Sequence, residues 1–268
     1  ATTLKSSEVK EIFPRSLMFA EKYGTVTVRL DGPEERMWDV TTLRSDGGYG
    51  DGRRPDNVEF GDNILSDLSR RDFTINSLAI DEDGEIIDPF GGIDDLEMNI
   101  LRAVGDASER ISEDGLRIMR AFRFLESGES GIRTFDESLS EAIRSNLGMI
   151  DSVSKERIWS ELTKILAGRN SKEIVSMMDS YGLFNVILPG ISIKTDLKMT
   201  TSYLANLALM CRDSHLSANE LVNELVDFLR ISKEESEVIS FLHRYKGVDF
   251  DSSPESIRRF RVALPKRM

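Results

Sequence analysis

The sequence predicts an α+β protein in two parts, a mixed strand-and-helix region over about the first ninety residues followed by an almost wholly helical remainder. Two observations predict it. Gly24-Thr25-Val26-Thr27-Val28-Arg29-Leu30 and Met37-Trp38-Asp39-Val40-Thr41-Thr42-Leu43 are short and rich in β-branched residues, and the stretch between them opens with the turn residues Asp31-Gly32-Pro33. Beyond residue 92, apolar residues instead recur at helical spacing.

Taken in order, the two β-rich runs form a two-stranded ribbon. Ser45 to Asp56 contains four glycines and one proline and reads as a mobile loop. Leu65, Leu68, Ile75 and Leu78 are spaced for a helix from Ile64 to Leu78, with Arg71, Asp72 and Asn76 on its polar side. Asp83-Gly84 between Ser77-Leu78-Ala79-Ile80 and Glu85-Ile86-Ile87-Asp88 signals a hairpin, and Asp88-Pro89-Phe90-Gly91-Gly92 closes the mixed region. Ile111, Ile118, Phe122 and Leu125 mark one face of a helix from about Ser108 to Glu126. Further helices are expected over Glu137 to Leu147, Ser154 to Ala167, Ser171 to Tyr181 (stopped by Gly182), Thr201 to Cys211, Ala218 to Leu229 and Lys233 to Tyr245. No fixed-period repeat is present, which argues against a solenoid.

Composition narrows the function. The chain has 268 residues, enough for two domains, and no apolar run approaches the ~20 residues that span a bilayer. No membrane association is expected, and the N-terminus has no basic-then-apolar signal, so a cytoplasmic location is expected. One cysteine, Cys211, makes no internal disulfide, and two histidines, His215 and His243, are too few for a Cys/His zinc site. A net charge of −12 argues against bulk attraction to nucleic acid. Local basic excess remains: Arg258, Arg259, Arg261, Lys266 and Arg267 face only Glu255 over residues 254–268, and residues 153–172 hold five basic against two acidic groups. Each segment reads equally as an RNA guide or as a solvated helix face.

Three clusters carry chemistry. In Glu113-Asp114-Gly115-Leu116-Arg117-Ile118-Met119-Arg120-Ala121-Phe122-Arg123-Phe124, a continuous helix places Asp114 and Arg117 on one face, an acceptor beside a forked donor that can read a base edge. Arg120 and Arg123 extend the row toward phosphates, although Glu113 and Arg117 also fit an ordinary surface ion pair. Arg70-Arg71-Asp72-Phe73-Thr74-Ile75-Asn76 packs two cations, a carboxylate and an amide together. This suits either a salt-bridge cluster or a nucleotide site with Arg71 on phosphate and Asp72 or Asn76 on ribose. Asp39, in a strand between Trp38 and Val40, is either a catalytic base or metal ligand fixed by a rigid element or an exposed strand residue.

Together these segments resemble the class II CCA-adding enzymes and bacterial poly(A) polymerases. The matching pieces are Ser7 to Pro14, Gly24 to Val28, Asp39 to Arg44, Gly52 to Asp56, Arg70 to Asn76, Asp88 to Gly92 and Glu113 to Phe124, so the resemblance covers residues 1 to about 170. It implies a partial nucleotidyltransferase head over 1–92, a helical neck with a nucleotide-template helix over 93–170, and a helical, RNA-binding body over 171–268. It further implies that Arg71 contacts the nucleotide, that Asp72 and Asn76 lie at the ribose, and that Asp114 and Arg117 pair with the base of incoming CTP or ATP. By the same resemblance Arg120 and Arg123 hold phosphates, Asp39 assists the chemistry, Asp88 to Gly92 joins head to neck, and Arg44 to Asp56 is the loop linked to the switch from adding C to adding A.

The family's Gly-Gly-x-Val-Arg-Asp segment and its magnesium-binding Asp-x-Asp pair do not occur, and Ala1-Thr2 resembles the residues that follow that pair. Metal ligands are therefore unassigned. The resemblance implies magnesium for the complete enzyme, CTP and ATP as substrates, tRNA as partner, and a chain that is catalytically incomplete by itself, with a separate N-terminal fragment as one source of the rest. The implied reaction is transfer of CMP and AMP to the 3′ end of tRNA. Poly(A) polymerase, CC-adding and A-adding enzymes share the motifs, and a non-catalytic nucleotide- or RNA-binding module is the rival of another class.

Overall fold

A computed structural model describes residues 1–20, 24–30, 36–47, 57–61, 63–248 and 253–264. The chain divides into two compact units, one of residues 1–98 and 102–114, the other of residues 99–101 and 115–268.

In the first unit, α1 (Ser6–Ile12) packs on an antiparallel sheet of β1 (Leu17–Ala20), β2 (Thr25–Leu30) and β3 (Arg36–Thr41), in that spatial order. Strand alternation places Val26 and Val28 of β2 in a small core with Val9 of α1. The opposite face carries Thr25, Thr27 and Arg29, registered against Thr41, Asp39 and Met37 of β3. The expected ribbon is therefore present, enlarged by β1 and by a parallel bridge between Thr2 and Thr42. The Asp31-Gly32-Pro33 turn lies outside the described residues.

The first residues of the loop expected from Ser45 lie instead in a strand. β4 (Arg44–Gly47) pairs antiparallel with β5 (Asn57–Phe60), so the first residues of the glycine-rich stretch gain a ladder partner. Gly48 to Asp56 lies outside the described residues.

α2 (Ile64–Ser69) starts at Asn63, whose side-chain oxygen accepts from the amides of Leu65 and Ser66 at 2.9 and 3.4 Å. The helix expected to reach Leu78 stops at Ser69. Phe73 bridges Ala103 and the Thr74 amide donates to the Arg102 carbonyl, so cross-chain pairing replaces the helical path, leaving a 3-10 turn at Thr74–Asn76. The expected hairpin follows as β6 (Ala79–Ile80) and β7 (Ile86–Ile87). Asp88 then accepts from the amides of Gly92 and Ile93 at the start of α3 (Gly92–Glu97). Slight burial raises its pKa, but these backbone amides outweigh it and hold the carboxyl below its ordinary value. Gly92 is required here because a Cβ would collide with the Thr74 carbonyl oxygen. α4 (Ala107–Glu113), capped by Asp106, completes the unit.

Among its described residues the second unit is mainly helical, with a short parallel pair, β8 (Ile100–Leu101) with β9 (Thr134–Phe135), and an isolated bridge between Glu126 and Ile132. Its helices are α5 (Leu116–Phe124), α6 (Glu137–Ser145), α7 (Lys155–Leu166), α8 (Ser171–Ser180), α9 (Leu183–Ile187), α10 (Tyr203–Met210), α11 (Ala218–Leu229), α12 (Lys233–Arg244) and α13 (Pro254–Ala263). Most lie within a residue or two of expectation, because their apolar stripes and caps are local. Ser217 and Ser232 form capping boxes with Glu220 and Glu235, and Gly182 follows α8 with φ 76°. Glu235 also accepts from Trp159 Nε1 and Tyr203 Oη, tying α12 to α7 and α10. His243 is buried with Nε2 3.0 Å from the Leu216 carbonyl oxygen, whereas His215 is exposed. No helix of the described residues is long and apolar enough to cross a membrane.

The helix expected from Ser108 to Glu126 is two helices. It breaks at Asp114, which is extended at φ −154° and ψ 107°, and Gly115 then starts α5. Gly115 abuts the Met149 carbonyl so closely that a Cβ would collide with it. Gly115→Ala is therefore expected to cost about 1–3 kcal/mol by overpacking, read as a lower urea midpoint with helix content retained in the native baseline.

Candidate nucleotide site

In the first unit, α2 and the 3-10 turn assemble one polar cluster from residues within ten positions of each other. Its centre is Asp67, buried on the inner side of α2, which the sequence reading missed. Arg70 Nη2 donates to Asp67 Oδ1 at 2.5 Å and Arg71 Nη2 to Oδ2 at 3.2 Å. Burial raises the Asp67 pKa, but Arg70 and then Arg71 outweigh it, so the carboxyl lies below its ordinary 3.8. Arg71 Nη1 also donates to the Asn76 carbonyl at 2.8 Å, fixing both arms of the guanidinium.

Asp72 and Asn76 are brought together by the turn. Asn76 Nδ2 donates to Asp72 Oδ1 at 3.1 Å, and the same oxygen accepts the Phe73 amide at 3.0 Å. The Asp72 carbonyl accepts from Val104, pinning the segment to the strand-like stretch after Arg102. Behind it, Thr74 Oγ1 donates to buried Asp95 at 2.6 Å, and Arg102 Nε donates to both Asp95 oxygens at 3.2 Å. Of the two arginines on Asp67, Arg71 is the more exposed, at 38% against 19% for Arg70.

Asp39 projects from the sheet face opposite the valine core, exposed, with Thr27 Oγ1 donating to its Oδ1 at 2.6 Å. Among the described residues no group of three or more His, Cys, Asp and Glu side chains could hold a metal ion.

Asp114 and Arg117 do not share one helix face, because the expected helix breaks between them. Asp114 ends α4 in extended conformation, Arg117 lies in the first turn of α5, and both are partly exposed. Glu113 does not need Arg117 for an ion pair, since Arg110 Nη1 meets it at 3.1 Å. In the second unit α5 buries Leu116, Ile118, Met119, Ala121 and Phe122, so Arg117, Arg120 and Arg123 fall on its more exposed side. Arg123 is nevertheless engaged: its Nε donates to buried Glu161 of α7, and its guanidinium lies 3.8 Å from the centroid of the Phe124 ring. Arg120 lies 5.2 Å from the same ring. Burial raises the Glu161 pKa, but Lys164 and Arg123 outweigh it and hold the carboxyl below its ordinary value. In the basic stretch over 153–172, Lys164, Arg169 and Lys172 meet Glu161, Glu129 and Asp196, which tempers its local field.

Comparison with known proteins gives these clusters a family. A model described as the poly A polymerase head domain matches residues 1–102, and one described as a probable RNA- and SrmB-binding site of polymerase A matches residues 134–194. The CCA-adding enzyme of Geobacillus kaustophilus is 38% identical over 248 residues, 89% of this chain and 58% of that protein. That of Lactobacillus johnsonii is 42% identical over 183 residues, 68% of this chain and 44% of that protein. The chain therefore spans about half the length of the curated relatives it matches. The crystal structure of the Bacillus stearothermophilus CCA-adding enzyme in complex with CTP matches with a TM-score of 0.77 at 27% identity, covering 98% of this chain and 64% of that one. A tRNA nucleotidyltransferase complexed with a primer tRNA and an incoming ATP analog shares the fold, with a TM-score of 0.71 at 19% identity over 97% of this chain and 79% of that one. With both the motif order and the fold in agreement, the chain belongs to the family of CCA-adding tRNA nucleotidyltransferases and bacterial poly(A) polymerases.

Proposed function

We propose that the protein acts in adding CMP and AMP, from CTP and ATP, to the 3′ end of tRNA. The observation that carries this reading is Arg71, held by Asp67 and the Asn76 carbonyl beside the joined pair Asp72 and Asn76, in a chain related to CCA-adding enzymes over most of its length. In this reading residues 1–92 are the head, 93–170 the neck and 171–268 a body that holds RNA. Arg71 takes a phosphate of the nucleotide, and Asp72 and Asn76 face its ribose. Asp114 and Arg117 supply the acceptor and donor edge for the base, Arg120 extends the cationic row, and Arg123, tied to Glu161, anchors α5 while offering its remaining charge to phosphate.

Asp39 is assigned to the chemistry as a strand-borne carboxylate. In this reaction class magnesium activates the attacking hydroxyl and neutralises the departing pyrophosphate. It requires several oxygen ligands, and among the described residues no group of three or more such side chains gathers about Asp39 to hold it. The proposed location is the cytoplasm.

The test uses the full-length protein with tRNA lacking its 3′ CCA, CTP, ATP and magnesium. The expected result is addition of CCA, with Arg117→Ala lowering discrimination between CTP and ATP by roughly tenfold or more, the scale of one lost bidentate base contact. Long A tails on unrelated RNA would instead assign a poly(A) polymerase, the activity named in the description of the head-domain model. Nucleotide binding without incorporation would assign a binding module.

A further inference from the structure

Asp67 joins more than two arginines. Its side chain is 4% exposed, while Arg70 and Arg71 are 19% and 38% exposed, so a buried carboxylate delivers one of its partners toward solvent. Asp67 Oδ1 also lies 3.4 Å from the backbone nitrogen of Arg44, which donates to it, and Arg70 Nε donates to the Arg44 carbonyl at 3.2 Å. Arg44 is the first residue of β4 and pairs with Phe60, the last of β5. Both backbone polar groups of the ribbon's root are thus gripped by the Asp67–Arg70 pair, while the other carboxylate oxygen of Asp67 sets Arg71.

A cation that only neutralised Asp67 would be served by Arg70 alone, which is closer and less exposed. The second arginine has its fork fixed at two points, Asp67 and the Asn76 carbonyl, with its outer edge toward solvent. Such fixing lowers the ordering cost of binding an anion, since a long flexible side chain is already in one orientation. We propose that Asp67 is a positioning residue for nucleotide binding: it holds Arg71 in its phosphate-receiving orientation and links that orientation to the root of the β4–β5 ribbon. The proposal rests on the assignment of Arg71 to the nucleotide made above. By reciprocity of linked equilibria, whatever nucleotide does to Arg71 is passed to the ribbon root, and the reverse.

The experiment measures binding of CTP, and separately of ATP, to the full-length protein by calorimetry for the parent, Asp67→Asn, Arg71→Ala and the double variant. Asp67→Asn keeps the side-chain size and removes the charge. It is expected to weaken binding about tenfold in the parent and less than about twofold in the Arg71→Ala background, because the two residues act through one contact. Equal losses in both backgrounds would make Asp67 a general support of the fold and overturn the proposal, as would unchanged affinity in Asp67→Asn. Absence of binding by the parent would overturn the nucleotide assignment and this proposal together, whereas the two preceding outcomes overturn this one alone. A variant-free reading guards against misfolding: on adding CTP to the parent, amide exchange over Arg44–Gly47 is expected to slow, and unaltered exchange there counts against the link.

Discussion

Phe122→Ala is expected to lower the stability of the helical unit by about 3–5 kcal/mol, the range for emptying a large aromatic site in a packed core. Phe122 is fully buried on the inner face of α5. Its ring meets the Phe135 ring edge-on at 5.3 Å and the Tyr181 ring at 5.5 Å, and those two lie 5.7 Å apart. Removing it leaves β9 and the end of α8 without their common partner, so both the buried area and the edge-to-face contacts are lost. Urea unfolding followed by helix ellipticity measures the loss. Phe122→Leu, which refills much of the volume, is expected to recover part of it. A midpoint unchanged by Phe122→Ala would show that the aromatic trio is not the keystone of this unit.

Glu161→Ala is expected to be nearly as damaging, at roughly 3 kcal/mol, because it strands the Arg123 guanidinium beside the Phe124 ring without its carboxylate. Glu161 is buried on α7 and is shared by Arg123, 23% exposed, and Lys164, 53% exposed. The more exposed lysine contributes little to this figure; Arg123 carries it. Glu161→Gln keeps the volume and a hydrogen-bond acceptor, and its loss is expected to be smaller.

Together with Asp88, the same group and Asp67 contribute to the acid response. Both carboxyls have folded pKa values below their ordinary 4.5 and 3.8. For a depressed carboxyl the stabilisation is complete above its unfolded pKa and is lost as pH falls through the folded one. Stability is therefore expected to hold from neutrality to about pH 5 and to decline below about pH 4, with the decline shallower in Glu161→Gln. A parallel decline in that variant would place the acid sensitivity elsewhere.

Glu161 has a local signature in the sequence. It stands between Ile158 and Leu162, three before and one after, within the stripe that continues to Ile165, so the apolar face of this helix contains a carboxylate. Asp67 beside Leu68 carries the same signal more faintly on a shorter helix. What each carboxylate pairs with was not readable, because Arg123 lies 38 residues from Glu161, and the Arg44 backbone 23 from Asp67. The break at Gly115 had a local sign, a glycine within a helical pattern, but the reason for it is the Met149 carbonyl more than thirty residues on.

By itself the sequence determined α6, α7, α8, α10, α11 and α12 of the second unit, the β2–β3 ribbon, the hairpin at Asp83-Gly84 and the family, since periodicity, caps, turn residues and motif order are all written in near neighbours. Only the tertiary structure decided that α2 ends at Ser69, that β1, β4 and β5 have partners, that Asp114 and Arg117 straddle a helix break, and that Arg71 and Arg123 are each held by a buried acid. The physical reason is that strand pairing and charge burial depend on groups distant in the chain, whose mutual approach is fixed by packing and carries no local pattern.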